Sequence, residues 1–435
     1  MRDILLVALV FASLPFILKR PYIGILVWSW LGYMNPQRLT WSFAYNMPFA
    51  QIVALTLLFS LLFTKEKKTI PINTTTVIWI IFLLWMTLTT ILAIYPDRAL
   101  EFYIRVIKIQ AITFLTLMLI TNPRRIDLLI WVIALSIGFY SIKGGIFTIL
   151  TGGQFRVYGP SQSMIGENNA LALATLMIIP LFFYLYKTST NINAKRFLLG
   201  CLLLSLISVL GSQSRGALLG ICAVGGYFWW QSSSKLFSGL AVLILAMIGF
   251  TFMPQSWHER MATIQNYEQD PSAMSRIYAW NYSINLANDK FTGGGLVSWS
   301  EQTYKKYEPR ATGYFVAHSI YFNVLADHGW TGLILYLLIL FLTWQNLSWV
   351  IKQTRGDPSH HFHILAKMIK VSLIAFFSGG AFLSLSYFDL PWHLTALSVL
   401  MREILNKNPD ISTSPETATS EARKQKRIMF NENIG

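Results

Sequence analysis

The sequence predicts an all-α, polytopic integral membrane protein with about twelve to thirteen transmembrane helices and one long periplasmic loop containing short helices. Three observations carry this. Of 435 residues, 54% are hydrophobic and 13% charged, and the mean hydropathy is +0.48, far from the balance of soluble domains. Apolar runs recur from Ile4 to beyond Leu400, several approaching the roughly 20 residues that cross a bilayer core as a helix. The basic residues fall between these runs in an alternating order that reads as topology.

Taken in order, candidate spans lie near residues 3–18, 22–34, 48–63, 76–94, 104–121, 126–150, 168–186, 196–211, 215–231, 235–253, 319–350, 365–387 and 390–405. The first is a retained helix, because further spans follow at once without a small-residue cleavage site. The second is short, and with the first it can form a tilted or re-entrant hairpin. Loops holding Lys19/Arg20, Lys65/Lys67/Lys68, Arg124/Arg125, Lys187/Lys195/Arg196, Lys235 and Lys352/Arg355/Lys367 are assigned to the cytoplasm. The organisation expected is N-terminal transmembrane helices over 1–150, a transmembrane core over 151–405 that includes a periplasmic loop at 254–317, and a disordered cytoplasmic tail at 406–435. That tail is polar and carries the cluster Arg423, Lys424, Lys426 and Arg427.

The net charge of +15 forms no basic stripe with interleaved aromatics, which excludes a nucleic-acid partner. Cys201 and Cys222 sit inside apolar runs and read as packing residues.

The 254–317 loop balances six basic residues against six acidic ones, so it is no polybasic lipid anchor, and connections this long are usually functional. Asp270-Pro271-Ser272 reads as a helix start with Asp270 as N-cap and proline in the first turn. Ser275 to Ala287 continues it as a short helix carrying Arg276. Glu268-Gln269-Asp270 has the look of an acidic metal motif, but a cap explains it better.

The residues able to carry chemistry are mostly basic ones on the outer side. Arg98, Arg105, Arg156 and Arg215 stand where outer loops are normally poor in charge. An arginine fork at an interfacial site suits a phosphate; the competing reading is snorkelling or an ion pair, such as Arg98 with Glu101. Arg215 lies in the tight turn Gly211-Ser212-Gln213-Ser214-Arg215-Gly216, with no acid nearby in sequence. Arg276 begins its loop helix, where the Ser272 hydroxyl and free amides would add donors to an anion; its alternative is an ion pair with Asp270 or Glu268. His318 stands where polar loop meets apolar span, followed by Asp327-His328-Gly329 and Gly332. It is either a general base or a packed imidazole bonded by Asn323 or Asp327. His360, His361 and His363 have metal-like spacing but no acidic or cysteine partners, and read as a solvated loop. No P-loop, GxGxxG, GxSxG or HExxH motif occurs, which speaks against ATPases, nucleotide-sugar Rossmann enzymes and membrane proteases; no cofactor is expected, and arginines doing the phosphate work predict no metal requirement.

Ser212/Ser214-Arg215-Gly216, Asp270-Pro271-Ser272 with Arg276 and Trp280, Gly293-Gly294-Gly295, and His318 with Asp327-x-Gly329 together resemble the bacterial O-antigen ligase and polymerase superfamily over roughly residues 150–400. Asp327 stands where that pattern often has Glu. Trp28-Ser29-Trp30, Tyr33 to Leu39 and Trp41 to Ala44 are similar to the exosortase-associated putative O-glycosylation ligases within it. The resemblance implies a multi-pass protein of the bacterial inner membrane with its active site facing the periplasm. It implies transfer of a glycan from undecaprenyl diphosphate to an acceptor hydroxyl on lipid A-core, polysaccharide or protein, by an inverting, metal-independent displacement. His318 would be the base, Arg215 and Arg276 would stabilise the diphosphate, and Arg156, Ser272 and Asp327 would help to bind substrate. Asp327 is separated from His318 by nine residues, about 13 Å of continuous helix, so direct contact needs a break at 326–329. An O-antigen polymerase is the first alternative and a transporter or flippase of the lipid-linked glycan the second.

Overall fold

A computed structural model describes residues 1–252, 255 and 270–407. Glu268 and Gln269 of the acidic run, and the tail from 408 with its basic cluster, lie outside the described residues.

The described chain is helical throughout. The helices are α1 (Arg2–Lys19), α2 (Tyr22–Met34), α3 (Phe49–Phe63), α4 (Thr74–Ile91), α5 (Pro96–Leu119), α6 (Pro123–Leu150), α7 (Asn168–Thr188), α8 (Ile192–Gly211), α9 (Arg215–Gln231), α10 (Lys235–Phe252), α11 (Pro271–Asp289), α12 (Glu301–Tyr307), α13 (Ile320–Gln353), α14 (His361–Gly379) and α15 (Asp389–Lys407). Local sequence sets many of the starts. Asn73 and Thr76 form a reciprocal capping box on α4, and the Asn122 side chain caps α6 ahead of Pro123 at its first position.

Among the described residues, seven helices are long and apolar enough to cross a bilayer: α4, α5, α6, α7, α8, α13 and α14. That is fewer than the twelve to thirteen spans that the apolar runs suggest. The 13 residues of α2 and 15 of α3 reach only about 20 Å and 22 Å at helical rise, short of a core about 30 Å thick. α15 holds Asp389, His393, Arg402 and Glu403, which lowers its hydropathy. The bundle centre is α7, whose span is 78% buried against 33% for α8. Outward-facing leucines and phenylalanines of α3, such as Leu55, Leu58, Phe59 and Leu62, suit contact with lipid rather than water.

The ends of the bundle are chemically distinct. At one end Arg125 makes a double hydrogen bond to Glu66, and His361 faces Asp127. The other end carries the segment 270–319, which has its own small core of Tyr282, Leu286, Tyr304, Tyr307 and Ala326; Tyr282 and Tyr304 stack at 4.3 Å.

This segment is joined to the bundle at a break in α13. Gly329 has φ 65° and ψ −172°, which interrupts the helical ladder and frees the carbonyls before it. Each is taken: Gly294 N–H donates to Ala326 O at 2.8 Å, Gly295 N–H to Asp327 O at 3.0 Å, and Trp85 Nε1 to His328 O at 2.9 Å. Buried backbone acceptors at membrane depth demand such partners. The contact leaves no room for side chains, since a Cβ on Gly329 would lie 2.3 Å from Phe291 O and one on Gly293 2.5 Å from Gly329 N. Gly329→Ala is therefore expected to destabilise the protein by about 2 kcal/mol or more. A thermal midpoint in detergent that matches wild type would refute this.

Candidate active site

The site forms where three loops meet at the end of the bundle that carries the 270–319 segment. The turn between α8 and α9 is pinned from the 151–167 segment. Val157 N–H donates to Gly211 O at 3.3 Å, Gln213 Nε2 to Gly153 O at 3.0 Å and Asn168 Nδ2 to Ser212 O at 2.8 Å. Ser214 caps α9, accepting from the Ala217 amide, so Arg215 is the first helical residue. A cation there is opposed by the helix dipole and calls for an anion.

The anion comes from the long loop. Arg215 Nη1 donates to Asp270 Oδ2 at 2.9 Å, while Asp270 Oδ1 accepts from the Ser272 amide at 2.9 Å and caps α11. The bond from Arg215 holds the Asp270 carboxyl below the usual carboxylate range. Asp270 is thus the expected N-cap and also the acid that sequence proximity did not supply to Arg215. The Ser272 amide, anticipated as a free donor to an anion, is occupied by that carboxylate. The Ser272 side chain is exposed and lies one turn before Arg276 on the same helical face.

Arg276 is half-buried. Burial, and secondly the charge of Arg215, push its guanidinium below its usual range, with Asp270 acting in the opposite sense. An arginine stays protonated regardless. Its Nε donor is buried and makes no hydrogen bond among the described residues, a costly state for a charged group.

His318 completes the group. Trp280 Nε1 of α11 donates to Ala317 O at 2.9 Å and its ring stacks on Phe322 at 4.9 Å, while Ser319 caps α13 by accepting from the Tyr321 amide. Held between these anchors, His318 adopts φ 44°, a left-handed conformation that costs about 1–3 kcal/mol and that histidine tolerates better than most residues. Burial lowers its pKa below the ordinary imidazole value; the Arg276 charge lowers it further, and Glu167 opposes both. The imidazole is therefore neutral at pH 7, as a proton acceptor must be. Neither Asn323 nor Asp327 bonds it, because those two bond each other at 2.7 Å.

Arg276 thus acts electrostatically on His318 and is itself acted on by Arg215. Arg156 is half-buried next to the pinned turn and makes no hydrogen bond or ion pair among the described residues. Asp327 makes no hydrogen bond or ion pair with Arg215, Arg276 or His318. It is buried, with Oδ2 accepting from Asn323 Nδ2 and from Tyr387 OH at 2.8 Å, and Tyr387 OH also meets His328 Nε2 at 2.9 Å. These bonds hold the broken helix. Of the other arginines expected on the outer side, Arg105 pairs with Glu101 and Arg98 lies over the Tyr95 ring at 4.9 Å, so both are accounted for without a ligand. No group of three or more metal-ligating side chains occurs among the described residues.

Two residues were not found by sequence reasoning: Asp270 as the partner of Arg215, and Glu167 as a carboxylate whose charge acts on His318. Glu167 reads in sequence only as an acid before an apolar run, and the residue whose pKa it raises lies far along the chain.

Residues 200–337 match the O-antigen ligase family, and residues 1–190 match a family of unknown function, DUF5935. Arg156 and Glu167 lie in the first match listed by position, and Arg215, Arg276 and His318 in the second. No curated protein matches the chain. Residues 200–337, which hold Arg215, Arg276 and His318, are thus similar to the O-antigen ligase family, and that match supports a membrane enzyme that transfers glycan.

Proposed function

We propose that the protein transfers a glycan from undecaprenyl diphosphate to an acceptor hydroxyl of lipid A-core, polysaccharide or protein at the periplasmic face of the bacterial inner membrane. The observation that carries this reading is Arg276, which lies within electrostatic reach of both His318 and Arg215 and holds a buried donor without a partner among the described residues. His318 takes the proton of the acceptor hydroxyl as its oxygen bonds to the anomeric carbon. The bond from that carbon to the phosphate oxygen breaks, and its electron pair leaves with the diphosphate, whose growing charge Arg276 and Arg215 offset. Arg156 and the exposed Ser272 hydroxyl extend the phosphate-binding side. One displacement gives inversion. The domain reading that goes with this is an N-terminal helical part joined to a catalytic transmembrane core.

The decisive experiment incubates purified protein with an undecaprenyl-diphosphate glycan and candidate acceptors, then identifies the product. Transfer to an acceptor other than the carrier lipid, with inverted linkage and undiminished in excess EDTA, is expected. Chain growth on the carrier would make it a polymerase, and movement of donor across vesicles with no product would make it a carrier.

The reading also sets a pH dependence. The lowered His318 pKa places the acid limb of kcat/KM below the ordinary imidazole value of about 6.5. Glu167→Gln, which removes the one charge raising that pKa, moves the limb to lower pH. Arg276→Gln moves the limb of its residual activity to higher pH. Limbs that coincide in all three proteins would exclude His318 as the titrating base.

A further inference from the structure

At the opposite end of the bundle, α7 and α14 frame a cleft of about 570 Å³. Its polar wall includes Lys187, Lys367, His361 and His363, and its apolar wall includes Phe183 and Met368. No carboxylate lines it. Of the acids nearby, Asp127 accepts from Tyr184 OH and stands 3.9 Å from His361 Nδ1, and Asp357 accepts from the Ser359 amide at 3.0 Å. Lys187 Nζ lies 5.5 Å from the Phe183 ring centroid, and Lys367 makes no hydrogen bond or ion pair among the described residues. His363 is buried, with Thr354 Oγ1 3.0 Å from its Nδ1.

A second basic cleft at the same end shows the contrast. It measures about 260 Å³ and is lined by Arg20, Arg124 and Arg125, but Glu66 also lines it and neutralises Arg125, whose guanidinium is covered by the Tyr22 ring at 4.1 Å. The larger cleft keeps two ammonium groups without a countercharge beside an apolar wall on membrane-crossing helices. This is the chemistry of a phosphate headgroup with acyl chains attached, as basic pockets between helices use.

We propose that the cleft between α7 and α14 binds the phosphate headgroup of an anionic phospholipid, with Lys187 and Lys367 on the phosphate and the acyl chains along Phe183 and Met368. The site is remote from the proposed catalytic group and does not depend on the reaction assigned to it.

The test exchanges the full-length protein in detergent with phosphatidylglycerol or phosphatidylethanolamine of the same acyl chains and quantifies bound lipid by native mass spectrometry. Selective retention of phosphatidylglycerol is expected, falling about fivefold for each of Lys187→Gln and Lys367→Gln, at about 1 kcal/mol per basic residue. Arg20→Gln with Arg124→Gln, at the smaller cleft, should leave it unchanged. Equal retention of both lipids, or equal loss in both variant pairs, overturns the site. Full displacement of the lipid by millimolar glycerol phosphate would show that a free phosphate, not a lipid, is the ligand.

Discussion

His318→Ala is expected to slow glycan transfer by about 10² to 10⁴, the usual contribution of a positioned general base, with the protein still present in membranes at wild-type level. The backbone complicates an alanine, because position 318 sits at φ 44° and alanine is less suited than histidine to the left-handed region. His318→Asn removes the base while keeping a residue that tolerates this conformation, so both variants should lose activity alike. Binding of the lipid-linked donor should change little in His318→Asn, since the phosphate contacts come from elsewhere. Near wild-type transfer by His318→Asn would eliminate His318 as the base.

Loss of either guanidinium is expected to cost about 10² to 10³ in kcat, as for other preorganised donors to developing charge. Arg276→Lys should recover little, because an ammonium lacks the planar fork that meets two phosphate oxygens at once. The two arginines face the same leaving group, so the double variant should lose less than the product of the single losses. Arg215 carries the further complication of Asp270. Arg215→Ala leaves that carboxylate without its cation and loosens the tie between α9 and α11, so part of its effect should appear as a lower thermal midpoint. Arg276→Ala makes no such break and should lower kcat with the midpoint held. Single losses under threefold, or losses that simply multiply, would argue that the arginines do not act on one diphosphate.

The class of the protein was legible in the apolar runs, because a hydrocarbon solvent imposes length and composition on any segment that crosses it. The cap at Asp270 and the need for a break at 326–329 were legible for a similar reason, since both follow from what neighbouring residues do to a helical ladder. The number of spans was less so. Helices such as α2 and α3 are apolar but short, and hydropathy alone does not distinguish a short helix packed within a bundle from one that crosses.

Alone, the sequence determined that this is a membrane protein, that arginines and one histidine are its unusual polar residues, and that glycines interrupt the helix after His318. Only the tertiary structure decided that Arg215 takes Asp270 as its partner, that the charge of Glu167 acts on His318, and that Asp327 bonds Asn323 and Tyr387. The physical reason is that capping and membrane insertion act over a few residues or along one helix. Ion pairs and pKa shifts depend on which distant segments are packed together, and nothing local to Arg215 or His318 encodes those neighbours.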